Sequence, residues 1–338
     1  MTILPIFIPQ AGCPTKCVYC NQIATTGINK NTYSYDDINS QIVNYLSCCK
    51  SKSSKEIAFY GSNYLGLPIE FIKKTLDISQ SFINKGFIES IRFSTRPDSI
   101  KKSIINLLQN YAISTIEIGV QSMDDNVLSM SNRVHTSVDT IKAVELLQRY
   151  NYKIGMQIMV GLPGEDNLSY LKTAYRIINL KPQFVRIHPT IILKGSLLHK
   201  WFKKNQYIPL SLNEAVEKVK KMYLLFNANK ISVIRMGLQP SKSLQKNFID
   251  GPFHPAFGHL VHSKIFFDKA ECLIKKSLTK DINICVNPRS ISKLKGLKNE
   301  NINTLLRKYN LKSINISTND SLQIDSVKLL SSLNAANV

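Results

Sequence analysis

Short apolar runs alternate with helical segments along the first 240 or so residues, and this alternation constrains the fold more than any other feature. Ile3–Ile8, Glu56–Tyr60, Ser90–Ser94, Thr115–Val120, Lys153–Val160, Phe184–His188 and Ser232–Met236 read as strands. Between them, residues 36–49, 68–85, 98–110, 137–150, 167–179 and 213–229 read as helices. Ser-Tyr-Asp-Asp caps the first of these helices, and Pro68 opens the second. Strands separated by helical crossovers form a parallel sheet. Six or seven such units predict an α/β fold, a partial (βα)6 TIM-type barrel, over a flat doubly wound sheet.

In such a barrel the chemistry lies at the C-terminal ends of the strands. Gly12-Cys13, Gly61-Ser-Asn63, Ser94-Thr-Arg-Pro-Asp98, Gln121-Ser122, Gly161-Leu-Pro-Gly164 and His188-Pro-Thr190 each follow a strand, and together they point to one mouth. Its sharpest element is Cys13-x-x-x-Cys17-x-x-Cys20. Three soft thiolates within eight residues suit a soft metal or an iron–sulfur cluster. Structural zinc takes four closed ligands, whereas three leave one iron of a cubane cluster open. The other cysteines, Cys48, Cys49, Cys272 and Cys285, read as ordinary thiols, and an odd total of seven argues against a disulfide framework.

Cys13-Pro-Thr-Lys-Cys17-Val-Tyr19-Cys20 resembles the signature of the radical S-adenosylmethionine (SAM) superfamily. Further stretches, among them Phe59–Pro68, Ile91–Asp98, Thr115–Thr136, Gly155–Glu165, Val185–Gly195 and Gly251–His262, resemble one branch of it. That branch holds the radical SAM domain of the Elongator catalytic subunit and its short bacterial relatives without an acetyltransferase domain. The resemblance spans about residues 3–262. It implies a [4Fe–4S] cluster on Cys13, Cys17 and Cys20, with SAM chelating the open iron. One-electron reduction of SAM then yields methionine and a 5′-deoxyadenosyl radical. A reductant such as flavodoxin or ferredoxin is implied as a partner.

The resemblance also assigns residues. Tyr19 would lie near the SAM adenine, and Gly161 and Leu162 would meet it through the backbone. Gly61, Ser62 and Asn63 fall in the glycine motif near the SAM amino group. Ser62 stands where the family has its second glycine, so a left-handed backbone there would be strained. Ser94, Arg96, Gln121 and Arg133 line the middle of the barrel, the last three as catalytic candidates. The two arginines suit carboxylate or phosphate recognition, with a salt bridge across strand ends as the other reading. Gln121 is open to two readings, a SAM contact or a capping amide. His135 and His188 depart from the family pattern, and His188 reads as structural. Gly251–Gly258 reads as a rigid loop over the mouth or as core packing.

Residues 1–262 are expected to form the barrel with its covering loops, and 263–338 a small basic βαβ-type module. Asn283–Val286 and Ser313–Ser317 are its expected strands and Asn299–Tyr309 its helix; it holds 13 Lys or Arg against 6 acids. The whole chain of 338 residues carries 44 basic and 23 acidic residues, a net charge of +21. Such a surface attracts polyanions, nucleic acid first among them, although 35 of the basic residues are Lys and genome bias alone can enrich Lys. An apolar fraction of 43% excludes a disordered polyelectrolyte. No apolar run reaches the length of a membrane span and no basic leader precedes the first strand, so a cytoplasmic location without membrane contact is expected. Three functions remain: RNA modification, of transfer RNA in particular; radical chemistry on a small metabolite; or a non-enzymatic iron–sulfur RNA-binding protein with a decayed SAM site.

Overall fold

The computed structural model describes residues 2–8, 12–28, 34–49, 53–61 and 63–330. Its main strands are β1 (Thr2–Phe7), β2 (Lys55–Tyr60), β3 (Ser90–Thr95), β4 (Ile113–Gln121), β5 (Lys153–Val160) and β6 (Phe184–Pro189). After the two-residue strand β7 (Ile192–Leu193) comes β8 (Ser232–Met236). The sheet order is β1-β2-β3-β4-β5-β6-β8, parallel throughout. A doubly wound sheet reverses its strand order at a switch point; this one never does. Among the described residues no pairing joins β8 to β1. The architecture is the expected partial (βα)6 TIM-type barrel, with six crossovers linking seven strands.

Strand alternation separates two faces. Leu4, Ile6, Ile57, Phe59, Ile91, Phe93, Ile116, Ile118, Val185 and Ile187 are fully buried apolar residues. Their alternates face the concave side, where Tyr60 on β2 reaches Arg186 on β6 with a hydrogen bond of 3.2 Å. A contact between strands so far apart in the sheet requires the sheet to curl. The crossover helix Tyr35–Cys48 begins with a capping box in which Ser34 and Asp37 exchange bonds. Ile69–Asn84 starts directly after Pro68 and buries Ile72, Leu76 and Phe82.

Three stretches depart from the expected elements. The helix expected over 98–110 is a single turn, Pro97–Ser99, followed by Lys102–Leu108. Ile100 and Lys101 between them are extended. Short helices Asp125–Met130, Leu197–Lys203 and Lys242–Asn247 stand where no element was expected. The stretch 251–258 is a loop only as far as Ala256, where the helix Phe257–Ile274 begins. Ahead of it, β9 (Phe248–Asp250) pairs with β7, and Phe253 packs against a small cluster containing Ala24, Ile191 and Leu244.

The chain divides into two compact units, Met1–Ser211 with Met222–Phe253, and Leu212–Lys221 with the residues from His254 onward. The second contains β10 (Asp281–Val286) and β11 (Ser313–Thr318), parallel, with β12 (Val327–Leu329) antiparallel on the other side of β10. Helices Ile291–Lys295 and Glu300–Tyr309 connect the parallel pair, which makes a βαβ unit. Phe266, Ile282, Ile284, Val286, Leu294 and Leu305 form its core. Among the described residues no helix is long and apolar enough to cross a membrane.

Candidate active site

The cysteine loop follows β1 and is fastened at several points. Val18 donates to Ser131 O (3.1 Å), Leu198 donates to Val18 O (2.8 Å) and the Asn132 amide donates to Lys16 O (2.7 Å). Asn132 adopts a left-handed conformation, φ 56°, to make that contact. Val18 is fully buried beside Ile192 and Leu198, while Cys13 is exposed and Cys17 and Cys20 are half-buried. The three thiols crowd one another. Burial raises Cys13, with the Cys17 charge adding to it, although the Asn63 backbone N–H bonds its sulfur. Burial and then Cys17 and Cys13 push Cys20 up to about 12. One guanidinium nitrogen of Arg133 lies 3.4 Å from Cys17 Sγ, and another bonds Gly119 O.

Asn63 fixes this loop to the rest of the mouth. Its side-chain nitrogen donates to Gly12 O (2.8 Å) and to Ser99 Oγ (2.8 Å). Its oxygen accepts from Thr95 Oγ1 (2.8 Å) and from the Arg96 N–H (3.0 Å). Two donors and two acceptor sites are the full capacity of an amide, so the side chain has none left for a ligand. The ends of β1, β2 and β3 meet at this one residue, which is 2% exposed. Close approach makes glycine necessary on both sides. A Cβ on Gly12 would lie 2.2 Å from Asn63 O, and one on Gly66 2.2 Å from Gly12 O. Gly61 is left-handed at φ 94°; Ser62 lies outside the described residues.

The ends of β3 and β4 hold the remaining candidates. Arg96, 3% exposed, makes a two-pronged pair with Asp98 at 2.9 and 3.1 Å. The pair lies within the loop after β3 and not across strand ends, and it leaves the third nitrogen, Nη1, buried without a partner. Gln121 ends β4 at φ 67°, a conformation that disfavours any side chain with a Cβ, and the β4–β5 register slips there. Its amide meets Gln157 at 3.5 Å. A Cβ on Gly119 would lie 3.1 Å from that amide, so the glycine makes room for it. Arg133 is held above the usual guanidinium range: burial opposes its charge, but Tyr19, Cys17 and Cys13 outweigh burial. His135 donates from Nε2 to Val120 O at 3.2 Å, and burial, then Arg133, hold its pKa down at about 3. Ser94 is half-buried beside them on β3.

At the end of β5, Gly161 has φ 76°. Its N–H donates to Glu165 (3.0 Å) and its carbonyl accepts from the Tyr207 hydroxyl, so both backbone groups are engaged within the chain. Leu162 packs with Val127, Met159 and Tyr19, and this apolar wall stands beside the cysteine loop. Deeper in the barrel is an ionic network that the sequence reading did not identify. Arg92 pairs with Glu56 (2.5 Å) and Glu117 (3.2 Å), and Arg186 pairs with Glu117 (2.9 Å). Tyr60 donates to Glu117 (3.0 Å). Glu and Arg on strands β2, β3 and β4 were the available signal, but only the curl of the sheet brings Arg186 from β6 to Glu117.

The donor set fits a cubane cluster. Among the described residues no three His, Cys, Asp or Glu side chains close around a single ion. A cubane instead spreads three thiolates over three different irons, a wider grip than one tetrahedral shell. The Arg133 guanidinium and the Asn63 N–H already stand at two of the sulfurs, where thiolate charge needs balancing.

The family model described as the radical SAM superfamily matches residues 7–174, and the radical SAM C-terminal domain matches residues 182–266. An uncharacterised protein of Methanocaldococcus jannaschii is 28% identical over 218 residues, 62% of this chain and 67% of that protein. The tRNA uridine(34) acetyltransferase of the same organism is 32% identical over 126 residues, 36% of this chain and 23% of that enzyme. The chain thus matches about two thirds of the first relative's length and under a quarter of the second's. The solved structure of Elp3 from Methanocaldococcus infernus superposes with a TM-score of 0.61 at 19% identity, over 78% of this chain and 62% of that one, which establishes the shared fold. The chain belongs to the radical SAM superfamily of enzymes, whose cofactors are a [4Fe–4S] cluster and S-adenosylmethionine.

Proposed function

We propose that this chain is a radical SAM enzyme that modifies RNA, transfer RNA in particular, with Cys13, Cys17 and Cys20 holding the cluster. The observation that carries the class is the convergence of three thiols, one guanidinium and one backbone N–H in a loop fastened at the end of β1. When bound, cluster and SAM supply one-electron cleavage of SAM to methionine and a 5′-deoxyadenosyl radical that takes a substrate hydrogen.

The chain's residues have separate tasks. Arg133 offsets thiolate charge at Cys17. Asn63 sets the position of Gly12 and Cys13 and is a positioning residue. Arg96 Nη1, buried without a partner, would donate to the SAM carboxylate, and Gln121 would bond its polar edge. Tyr19, Val127, Met159 and Leu162 exclude water beside the cysteines. RNA as substrate is supported by the tRNA-modifying relative and by the net charge of +21.

The test uses anaerobically reconstituted protein, dithionite and SAM, with 5′-deoxyadenosine quantified with and without bulk transfer RNA. Nucleoside formation that is lost in Cys17→Ala and stimulated by RNA is expected. A bound cluster with no nucleoside under any condition would refute the enzyme reading, and nucleoside formation indifferent to RNA would refute the substrate.

A further inference from the structure

The ionic network inside the barrel is balanced before its last neighbour is counted. Glu56 and Glu117 face Arg92 and Arg186, two charges of each sign. Arg235 on β8 is a fifth charge. Its guanidinium donates to the neutral amide of Gln239, and among the described residues it makes no ion pair. The β6–β8 register sets Arg235 directly beside Arg186, on strands about 4.8 Å apart. Burial, then the Arg186 charge, lower the pKa of Arg235.

His188 is the next residue on the same face of β6. Its Nε2 is buried with no hydrogen-bond partner. Burial, then Arg186 and Arg235, keep the ring neutral, so Nε2 can carry a proton and donate it in a hydrogen bond. Tyr60 closes the side, its ring 5.6 Å from the Arg186 guanidinium. Two half-buried like charges and an unsatisfied donor on adjacent strands destabilise the folded state unless something negative joins them.

We propose that Arg186, His188 and Arg235 form an oxyanion subsite at the β6–β8 side of the barrel, which takes a phosphate or carboxylate group of the substrate. Glu117 takes Nε and Nη2 of Arg186, which leaves its Nη1; this group, the Arg235 guanidinium and an imidazole N–H suit the three-sided array of oxygens on such a group. The excess of one positive charge matches a monoanion, as in an RNA phosphodiester or a single carboxylate. The inference deepens the enzyme reading above and depends on it for the word substrate; the binding of an anion does not depend on it.

The experiment measures affinity by titration calorimetry at low ionic strength on the full-length reconstituted protein. A mixed-sequence RNA trinucleotide probes the phosphodiester, and succinate probes the carboxylate. Arg235→Gln is expected to weaken trinucleotide binding about tenfold or more, with Arg235→Lys in between, since it keeps the charge but not the fork. The exposed Lys295→Gln serves as the surface-charge control and should leave binding within twofold. Trp201 fluorescence checks folding, and the lysine variant decides the matter if the glutamine variant does not fold. A response to succinate alone keeps the subsite and refutes RNA as its source. Equal affinity in wild type, Arg235→Gln and Arg235→Lys for both probes overturns the subsite, while RNA stimulation of nucleoside formation still judges the function independently.

Discussion

Replacing Asn63 by Ala tests whether one amide holds the mouth together. The substitution removes four hydrogen bonds at once. Thr95 and Arg96 are each 3% exposed, so their hydroxyl and N–H cannot turn to water. Each buried orphan costs about 1–1.5 kcal/mol at the lower end of the usual range. Gly12 O and Ser99 Oγ are half-buried and partly rehydrate, at about 0.5 kcal/mol each. The expected loss is therefore about 3–4 kcal/mol. Trp201 is the chain's single tryptophan and packs beside Val18 and Leu198, so its fluorescence in a urea titration reports the barrel unit. Asn63→Asp isolates the functional half of the argument. It keeps both acceptor interactions but loses the donors to Gly12 and Ser99, and places a charged oxygen against a carbonyl. That variant should fold, yet retain less iron and sulfide after reconstitution, because the segment carrying Cys13 is released. A loss below 1 kcal/mol in Asn63→Ala, or full cluster content in Asn63→Asp, would refute the reasoning.

Two further outcomes follow from strain and from burial. Gln121→Gly removes a left-handed side-chain residue at φ 67°, so stability should stay level or rise by up to about 1 kcal/mol while SAM affinity falls; a urea titration paired with SAM-binding calorimetry checks both. His135 and His188 are held down at about 3 by burial, whereas an unfolded chain protonates near 6.5. Between those pH values the unfolded state binds more protons, so stability drops as pH falls, by about 2 kcal/mol per histidine from pH 8 to pH 5. Replacing His188 with Gln should flatten that slope by one histidine's share, and an unchanged slope would show that the ring is already charged in the folded protein.

The strands and their order were legible because parallel strands covered on one face by helices are short, apolar and separated by amphipathic stretches. The cysteine loop was legible from spacing alone. What was not legible depends on contacts between distant strands or on backbone conformation. Asn63 could be placed in a loop after β2, but that its amide is consumed by Gly12, Thr95, Arg96 and Ser99 follows only from the meeting of three strand ends. The left-handed backbones of Gln121 and Asn132 leave no trace in composition. Asp125–Met130 and Leu197–Lys203 are under two turns long, too short to show a 3.6-residue period. The break in the helix expected over 98–110 falls at Ile100 and Lys101, two extended residues in a stretch where periodicity alone would continue the helix.

The polar groups of the barrel divide by whether their bonding capacity is filled, and the division follows function. Asn63 and the backbone of Gly161 are fully engaged, so their work is to hold other groups in place. Arg96 Nη1, Arg133 Nε, His135 Nδ1, His188 Nε2 and Thr190 Oγ1 are buried with no partner. An unsatisfied buried polar group costs about 1–3 kcal/mol, and well-packed proteins keep few of them. Here the five stand at or just beyond the C-terminal ends of β3, β4 and β6, the end that also carries the three cysteines. A fold that leaves so many donors and acceptors unfilled in one place is more stable with a polar ligand there than without one. SAM and the anion of the substrate should therefore each raise the unfolding midpoint, and Arg96→Met should abolish the first increment while Arg235→Gln abolishes the second.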